Sequence, residues 1–296
     1  MKSYTVLRNL YGIDTKNTST ANLSYGDQIM NDWYRRLLAK ADWPFLHRLR
    51  TVSTIASTTY VNLPYDVDQI ESVFVTVSSK RYPVNPAASR DFFDQLHFNS
   101  YTSDIPQYYF VYNGQIGIWP TPATANVISI NAKIRVIDLN IADITSTTVT
   151  SIANAGTALV VSGGLTSQMV GFWIRITLST TANTGDGEWY EIASIQSATT
   201  ATLVRAYGGN SISAGTAPST ISQMPLLPES YHDLPEQYAA FRYWAKEEDA
   251  RSGIFMRLVD EGISDLKKTY AFNNVSGIID DNEGKMILNP NLTVSL

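Results

Sequence analysis

Cysteine is absent from the 296-residue chain, and charged residues are few. The lack of cysteine excludes disulfides, thiolate zinc sites and cysteine nucleophiles. Charged residues make up 17% of the chain, below the roughly 25% typical of soluble domains, and the polar remainder is rich in Thr, Ser and Asn. Such a surface suits β-structure and contacts with partner proteins, so we expect stability to come from packing or from oligomerisation.

The chain also lacks an excess of positive charge and lacks long apolar runs. Its 22 basic and 27 acidic residues give a net charge of −5, whereas tight, sequence-independent binding of nucleic acid depends on a basic surface that releases counterions. No run of about 18 apolar residues occurs that could cross a membrane. The first residues turn polar before an apolar segment develops, so we expect an intracellular protein with no signal peptide and no membrane span.

Motifs for catalysis, metals and cofactors are missing. The histidines are His47, His97 and His232, and none stands at metal-ligand spacing from another, which predicts ordinary structural or surface roles. Gly185-Asp186-Gly187-Glu188 is typical of a hairpin turn, because it lacks the alternating oxygen ligands of a calcium loop. The sequence therefore predicts no catalytic residue, no metal and no cofactor.

Helical periodicity marks the early and late parts of the chain. From Ser24 to Lys40, Ile29, Trp33 and Leu37 recur every fourth residue, which predicts an amphipathic helix that starts at a Ser24 cap and ends before Trp43-Pro44. Two further helices are predicted after Pro228, meeting near Arg251-Ser252-Gly253. Their apolar stripes are Leu234, Tyr238, Phe241 and Ala245, and then Ile254, Leu258, Gly262, Leu266 and Tyr270.

A β-pattern fills the segment between the early and late helices. Residues 48–77 predict two or three strands, and 127–137 predict another. Asn85-Pro86 is predicted to open a short helix that runs to Leu96. The most specific local signal is the hairpin with Asn113-Gly114 at its turn, because this dipeptide supplies the positive φ angles of a type I′ connection.

Composition shifts between about Asp143 and Ser222 to a stretch that is rich in Thr, Ser, Ala and Gly and poor in charge. Short strands between glycine turns favour an inserted all-β module, a small barrel or sandwich. Its strand candidates are 147–152, 158–161, 172–178, 189–195 and 202–205.

These patterns predict an α+β fold: a helical bundle made of the early helix and the C-terminal helix pair, a β-region, and the inserted small barrel or sandwich. The predicted domains are an N-terminal part of the core (1–142), the inserted module (143–222), the C-terminal helices of the core (223–272) and an extended tail (273–296). The tail has no period of its own, and it would be ordered by a neighbour, with Met286, Ile287 and Leu288 as contact residues, or would simply fray.

Acidic residues on the late helices have two interpretations. The first is a solvated helical face, and the second is the lining of a pore that must not hold on to DNA. The residues concerned are Glu247, Glu248, Asp249, Asp260, Glu261 and Asp265. Trp33, Trp43 and Trp244 fall on apolar stripes without interleaved Lys or Arg, so they are predicted as core anchors.

Taken in order, several short motifs resemble those of the head-to-tail adaptor, or head completion, proteins of tailed phages. The resemblance covers residues 21–270 apart from the insertion, which the compact adaptors lack. The motifs are Trp43-Pro44-Phe45-Leu46, Leu63-Pro64-Tyr65-Asp66, Pro106-Gln107-Tyr108-Tyr109, Ile116-Gly117-Ile118-Trp119-Pro120-Thr121-Pro122, Pro225-Leu226-Leu227-Pro228 and the helix from Leu234 to Ala250.

This resemblance implies a structural protein of the virion with no enzymatic activity, assembled in the host cytoplasm and placed at the head-tail junction. It implies a homo-oligomeric ring, a dodecamer, that binds the portal and a downstream tail component (a nozzle, a stopper or the tail tube) and contacts no membrane. Double-stranded DNA would pass through the channel without tight binding, because an anionic bore repels phosphate. The late helix pair and the C-terminal tail are the candidate contacts for the ring and the portal, and the loop from Asp91 to Asp104 is the candidate contact for the next tail component.

Two other functions stay open at this point. The inserted module could be a sugar-stacking surface of a glycan-binding or glycan-cleaving tail protein, with Trp173, Trp189, Tyr190 and Tyr207 as its aromatic residues. Strand alternation predicts Ile174 and Ile176 on one face and Trp173 on the other. A tail-tube or baseplate component would differ mainly in symmetry and partner.

Overall fold

The computed structural model describes residues 1–98, 101–177, 185–213 and 217–271, together with the backbone of two short strands at 278–280 and 286–288. The chain divides into two compact units. The helical unit comprises Met1–Leu46 and Pro225–Leu296, and the β unit comprises His47–Met224. The α+β fold class is confirmed, whereas the bounds of the four predicted domains stay a prediction.

The helical unit is built from four helices, two from each end of the chain. These are α1 (Tyr4–Asp14), α2 (Thr20–Ala39), α4 (Leu234–Lys246) and α5 (Arg251–Leu266), and α5 continues into a π-helical turn at Lys267–Ala271. The α2 helix was predicted in the right place but with the wrong start. Its cap is Ser19, whose Oγ accepts a hydrogen bond from the Asn22 N–H at 3.4 Å, so Ser24 lies inside the helix.

The sequence patterns did not predict α1. Its cap is Ser3, whose Oγ accepts a hydrogen bond from the Val6 N–H at 3.3 Å. Leu7 and Tyr11 are fully buried, and the Tyr11 hydroxyl donates to Asn22 Oδ1 of α2 at 3.0 Å. The helix is therefore stabilised by packing against α2 and α4 rather than by a strong local signal.

The late helix pair is confirmed, but only part of the predicted α5 stripe is buried. Ile254 and Leu258 are 56% and 37% exposed, whereas Leu266 of the same stripe is buried. The contact between α4 and α5 is close at Gly262, because a Cβ there would overlap the Leu234 side chain. The α5 helix thus buries one side against α4 and leaves an apolar strip in solvent.

The β unit contains a seven-stranded sheet with the order β1-β7-β3-β4-β5-β6-β2, antiparallel except for the β4-β5 pair. A short helix, α3 (Arg90–Leu96), follows β4. The strands are β1 (His47–Ser53), β2 (Tyr60–Asn62), β3 (Val67–Val77), β4 (Lys80–Pro86), β5 (Tyr108–Tyr112), β6 (Gln115–Trp119) and β7 (Val127–Ile134).

Two predictions for this sheet have opposite outcomes. The Asn-Gly hairpin is confirmed: β5 and β6 pair antiparallel, with φ at 50° for Asn113 and 72° for Gly114. The helix cap at Asn85-Pro86 is wrong, because both residues belong to β4 and the Asn85 N–H donates to the Gln107 carbonyl at 2.9 Å. The cap of α3 is Ser89.

The second part of the β unit is a closed six-stranded barrel with the order β10-β11-β12-β9-β8-β13. Its core is aliphatic and aromatic, with Ile174 and Ile192 fully buried. The last strand was not predicted, because it carries few apolar residues. The strands are β8 (Thr148–Ile152), β9 (Ala158–Val161), β10 (Trp173–Ile176), β11 (Trp189–Ser197), β12 (Thr200–Leu203) and β13 (Ala217–Ser222).

One buried glutamine joins the segment that enters the barrel to the segment that leaves it. Gln223 Oε1 accepts hydrogen bonds from the backbone N–H groups of Asn140 and Ile141, both at 2.9 Å. Its Nε2 donates to the Asp138 carbonyl at 2.7 Å. The segment that leads from the sheet into the barrel and the segment that leaves the barrel are therefore held side by side.

A buried ionic cluster also links the sheet to the barrel. The Arg50 guanidinium of β1 donates to Asp66 Oδ2 at 2.6 and 2.8 Å and to Glu191 Oε1 of β11 at 3.0 Å. Arg48 pairs with the other oxygen of Glu191. Arg50 is 1% exposed, so the cluster is shielded from water.

Near the C-terminus, β14 (Ile278–Asp280) and β15 (Met286–Leu288) form a two-stranded antiparallel sheet. The backbone of the predicted contact residues Met286, Ile287 and Leu288 thus pairs within the chain, with Ile279 opposite Ile287. Their side chains, like the rest of the predicted tail at 289–296, lie outside the described part of the molecule.

Candidate interaction surfaces

The α5 helix has a groove along one flank, which we call the basic groove. It lies between α5 and α2 and has a volume of about 630 Å³. Its charged residues are Arg36, Lys40 and Lys267 against the single carboxylate of Asp260. The other residues that line it are Trp33, Leu37, Ala41, Trp43, Tyr238, Met256, Val259 and Ile263.

Aromatic rings form the floor of the basic groove. Trp33 stacks on Tyr238 with ring centroids 5.2 Å apart. Trp43 is 1% exposed, and its indole N–H donates to the Leu37 carbonyl at 3.2 Å. The prediction of core anchors is confirmed for Trp43 and for Trp244, which is 6% exposed, whereas Trp33 is only half-buried and lines the groove.

The opposite flank of α5 carries what we call the acidic stripe: Ile254, Leu258, Glu261 and Asp265. These residues are spaced i, i+4, i+7 and i+11, so they lie on one side of the helix. Leu258, Glu261 and Asp265 line a cleft of about 410 Å³ together with Asp233. No basic residue is among the residues that line this cleft.

The stripe carboxylates already have weak partners within the chain. Asp265 Oδ2 accepts a hydrogen bond from the Tyr231 hydroxyl at 2.8 Å. Glu261 forms an exposed ion pair with Arg257 at 3.6 Å. The exposed ion pair of Glu261 contributes little to stability, and Asp265 is itself exposed, so both carboxylates stay available to a partner.

The six acidic residues predicted to line a pore do not share one surface. Asp260 lies in the basic groove, whereas Glu261 and Asp265 line the cleft on the other flank. Asp249 is held by Arg251, whose hydrogen bonds to it lower the pKa of Asp249 to about 2. Glu247 and Glu248 are exposed at the turn between α4 and α5.

A buried acid lies elsewhere in the helical unit. Glu236 of α4 is 3% exposed. Burial, followed by the charge and hydrogen bond of Asp14 and the charge of Asp233, raises the pKa of Glu236 to about 9. The group is therefore protonated at neutral pH, which removes the cost of burying a charge.

The aromatic residues of the barrel do not form a contiguous outer patch. Tyr190 and Tyr207 are 2% and 1% exposed and belong to the barrel core, so the expectation that they are surface residues is wrong. The Tyr190 hydroxyl donates to Asp186 and accepts from the Gly208 N–H. Trp173 and Trp189 are half-buried, and Ile174 and Ile176 face inward as predicted.

Large apolar side chains are exposed on the loop between α3 and β5. Phe98 is 84% exposed, Tyr101 is 56% exposed and Ile105 is 39% exposed. Residues 99 and 100 of this loop lie outside the described residues. Exposed apolar side chains that lie together on one loop are typical of a contact surface.

The histidines are not brought together. His232 is buried, and burial lowers its pKa, while its ring nitrogens contact the Leu227 carbonyl and the Lys2 backbone. His47 pairs with Glu71, and His97 contacts the Phe93 carbonyl. Within the described ranges no three metal-ligating side chains cluster, and no helix is both long and apolar enough to span a bilayer.

The family model for the SU10 adaptor protein matches residues 6–277. The chain belongs to the SU10 adaptor family. Membership of this phage head-to-tail adaptor family makes the chain a structural component of the virion. The expectation drawn from the short motifs is thus confirmed at the level of the family, and the match runs through the barrel as well as the helices.

Other comparisons add little to the adaptor assignment. No curated protein matches the chain. One solved structure, the flagellar cap protein FliD (domains D1-D2-D3) of Escherichia coli, is 12% identical over 95% of this adaptor and 85% of the FliD chain. Its TM-score is 0.09, so it carries no argument about fold or function.

The sequence patterns indicated the late helix pair as a contact element but did not identify the basic groove or the acidic stripe. Arg36 and Lys40 carried no prediction of a binding surface, and Ile254 and Leu258 were predicted only as part of an apolar stripe. A usable signal was present, because Glu261 and Asp265 continue the Ile254-Leu258 spacing with charged residues. A strip that mixes apolar and acidic residues is typical of a face that contacts another protein.

Proposed function

We propose that this adaptor forms a ring, a dodecamer, beneath the portal and docks the next tail component on its other side. Membership of the adaptor family supports oligomerisation and association with portal and tail components. The structural observation that carries the proposal is the exposed apolar strip on α5, with Ile254 at 56% and Leu258 at 37% exposure. Adjacent exposed apolar side chains on one helix face are typical of a surface that contacts another protein.

The loop that contains Phe98 is the proposed contact for the downstream component, which would be a nozzle, a stopper or the tail tube. Phe98, Tyr101 and Ile105 are large, exposed and close in sequence. Aromatic side chains at the centre of an interface contribute most of its binding energy. The loop belongs to the stretch from Asp91 to Asp104 that the sequence indicated, extended by one residue to Ile105.

Passage of double-stranded DNA without tight binding is the third part of the proposal. The net charge of −5 disfavours retention of phosphate. Glu247 and Glu248, exposed at the turn between α4 and α5, are the candidates for the channel lining. The six acidic residues proposed from the sequence are thereby reduced to these two, since the others lie on different surfaces or are already paired.

The experiment for the proposed function is native mass spectrometry and negative-stain microscopy of the full chain, alone and mixed with the portal protein of the same phage. We expect rings of defined copy number, formed in solution or on the portal. A Phe98→Ser, Tyr101→Ser variant should still form these rings and should lose attachment of the next component. A stable monomer that ignores the portal would contradict the proposal.

A further inference from the structure

The two flanks of α5 differ in charge and in shape. The basic groove is a concave surface whose charged residues are Arg36, Lys40, Lys267 and Asp260, a net charge of +2. The acidic stripe has two apolar residues in solvent, followed by Glu261 and Asp265. At 3.6 residues per turn, Met256 and Asp260 fall on the side of α5 nearly opposite Ile254 and Leu258.

The shapes of the two surfaces also match. A helix that docks in a groove uses positions i, i+4, i+7 and i+11 of one face, and these are the positions of the acidic stripe. The groove has an apolar floor, with Trp33 stacked on Tyr238 and with Met256 37% exposed. Ile254 and Leu258 would contact this floor, and the carboxylates would face the cations on its rim.

We propose that the acidic stripe of one copy docks in the basic groove of the next copy. This inference rests on the proposed ring and assigns the two surfaces that join its copies. Because the stripe and the groove are different surfaces, the contact is heterologous. Joining two copies leaves the groove of one and the stripe of the other free to bind further copies, and closure of the ring fills them all. A two-fold dimer would instead need one self-complementary patch.

Charge also favours this occupant over the other candidate, the DNA backbone. Phosphates would be attracted to the three cations, but the Trp33 ring is already stacked on Tyr238 and Trp43 is buried, so neither offers an open face to a base. A phosphate backbone offers no apolar group that could contact the floor of the groove, whereas Ile254 and Leu258 of another copy do. Binding of DNA in the groove is therefore the competing outcome that the experiments have to distinguish from docking of the stripe.

Charge reversal provides the test. The stripe variant is Glu261→Lys with Asp265→Lys, and the groove variant is Arg36→Glu with Lys40→Glu. Each variant alone places like charges across the contact, so we expect loss of rings. In an equimolar mixture every junction regains opposite charges in an alternating ring, which can close with the even copy number of a dodecamer, so we expect rings to return.

Controls separate this result from misfolding. Circular dichroism and thermal melts should show that each variant is folded, and a variant that cannot fold could not be rescued by mixing. Lys16→Glu with Lys80→Glu gives the same change in net charge as the groove variant at exposed positions outside both surfaces, and it should assemble like the unmodified chain.

Cross-linking gives a second readout, because the chain has no cysteine of its own. Mixed rings of a Leu258→Cys chain and a Lys40→Cys chain should give a covalent dimer with a short bis-maleimide. Replacing the Lys40→Cys chain with an Ile13→Cys chain, whose position in α1 is 65% exposed, should not. Because each chain carries one cysteine, a cross-link within a chain is excluded.

The outcomes distinguish the inference from the proposed function. Rings that persist in either variant alone, folded variants whose mixture stays unassembled, or rings without the Leu258-Lys40 cross-link overturn the inference and leave the ring itself standing. Intact rings of the groove variant, combined with lost binding of a short DNA duplex in fluorescence anisotropy, also overturn it in favour of DNA. If the unmodified chain forms no ring with or without the portal protein, the proposed function fails and the inference fails with it.

Discussion

Replacing Arg50 by methionine should destabilise the β unit strongly. The guanidinium is 1% exposed and supplies the hydrogen bonds between Asp66 on one side and Glu191 on the other. Arg50→Met leaves two buried carboxylates close to each other, with only Arg48 at the edge of the cluster. Removing one partner of a buried ion pair typically costs about 3–5 kcal/mol, because the remaining charge is uncompensated.

The assay is differential scanning calorimetry together with urea unfolding followed by circular dichroism. For a unit of this size, about 1 kcal/mol shifts the melting temperature by roughly 2–4 °C, so we expect a decrease on the order of 10 °C. The matched control is Arg48→Met. Arg48 is 23% exposed and lies at the edge of the same cluster, so its loss should cost about 1 kcal/mol.

A second variant tests the reasoning about charge. Arg50→Met combined with Asp66→Leu and Glu191→Leu removes all three charges of the buried cluster, and it should recover most of the lost stability, since apolar groups of similar volume often replace a buried ionic cluster without loss. The explanation is refuted if Arg50→Met unfolds within about 1 kcal/mol of the unmodified chain, a change typical of a surface pair.

Three further predictions concern the helices and the barrel core. The pKa of Glu236 is raised in the folded state to about 9, so the stability that the protonated acid contributes is complete below its unfolded pKa and is lost as pH rises toward 9. The stability of Glu236→Gln relative to the unmodified chain should therefore increase from pH 5 through pH 7 to pH 9, as measured by urea unfolding at these three values. An equal difference at all three values would contradict the assignment. Gly262→Ala should lower the free energy of unfolding by about 1–3 kcal/mol, because the new Cβ overlaps Leu234. Gly253→Ala in the same helix meets open space and should raise it by up to about 1 kcal/mol. Thermal melts that rank the two variants the other way would refute the close contact at Gly262. Tyr207→Ala should cost about 3–5 kcal/mol in calorimetry, because the ring fills the barrel core, and Trp173→Ala, at a half-buried position, should cost clearly less; equal losses would count against the burial described.

Local signals predicted the parts of this fold that local chemistry decides. Asn113-Gly114 predicts a hairpin because the turn needs two successive residues with positive φ, which few residue types adopt. The turn is therefore decided by these two residues and depends little on what packs against it. Strand β9 was predicted with its observed bounds, because an apolar run lay between glycine-containing turns. The end of α2 followed from Trp43-Pro44 in the same way.

Long-range contacts decided the parts that were missed. The α1 helix depends on the burial of Leu7 and Tyr11 against helices distant in the sequence. Asn85 has the side chain of a helix cap, but the hydrogen bond from its backbone to Gln107 places it in a strand. Strand β13 closes the barrel by pairing with β10, although few of its residues are apolar.

The candidate surfaces show the same division. The acidic residues of the late helices were identified by type, but helix rotation distributes Asp260 and Glu261 to opposite flanks, which a count of charges does not reveal. Ile254, Leu258 and Leu266 share one predicted stripe, and only the packing on α4 shows that Leu266 is buried whereas Ile254 and Leu258 face solvent. Periodicity predicts an amphipathic helix, and tertiary packing decides which of its faces is buried.

The hydrogen bonds that Gln223 accepts from Asn140 and Ile141 have a consequence for protein engineering. Because Gln223 holds together the segments that enter and leave the barrel, exchanging the barrel for a foreign domain with neighbouring termini would require little additional loop-closure entropy. The position of the barrel can thus carry a fluorescent reporter or an affinity tag, provided that Arg48 and Arg50 are supplied with a new carboxylate in place of Glu191.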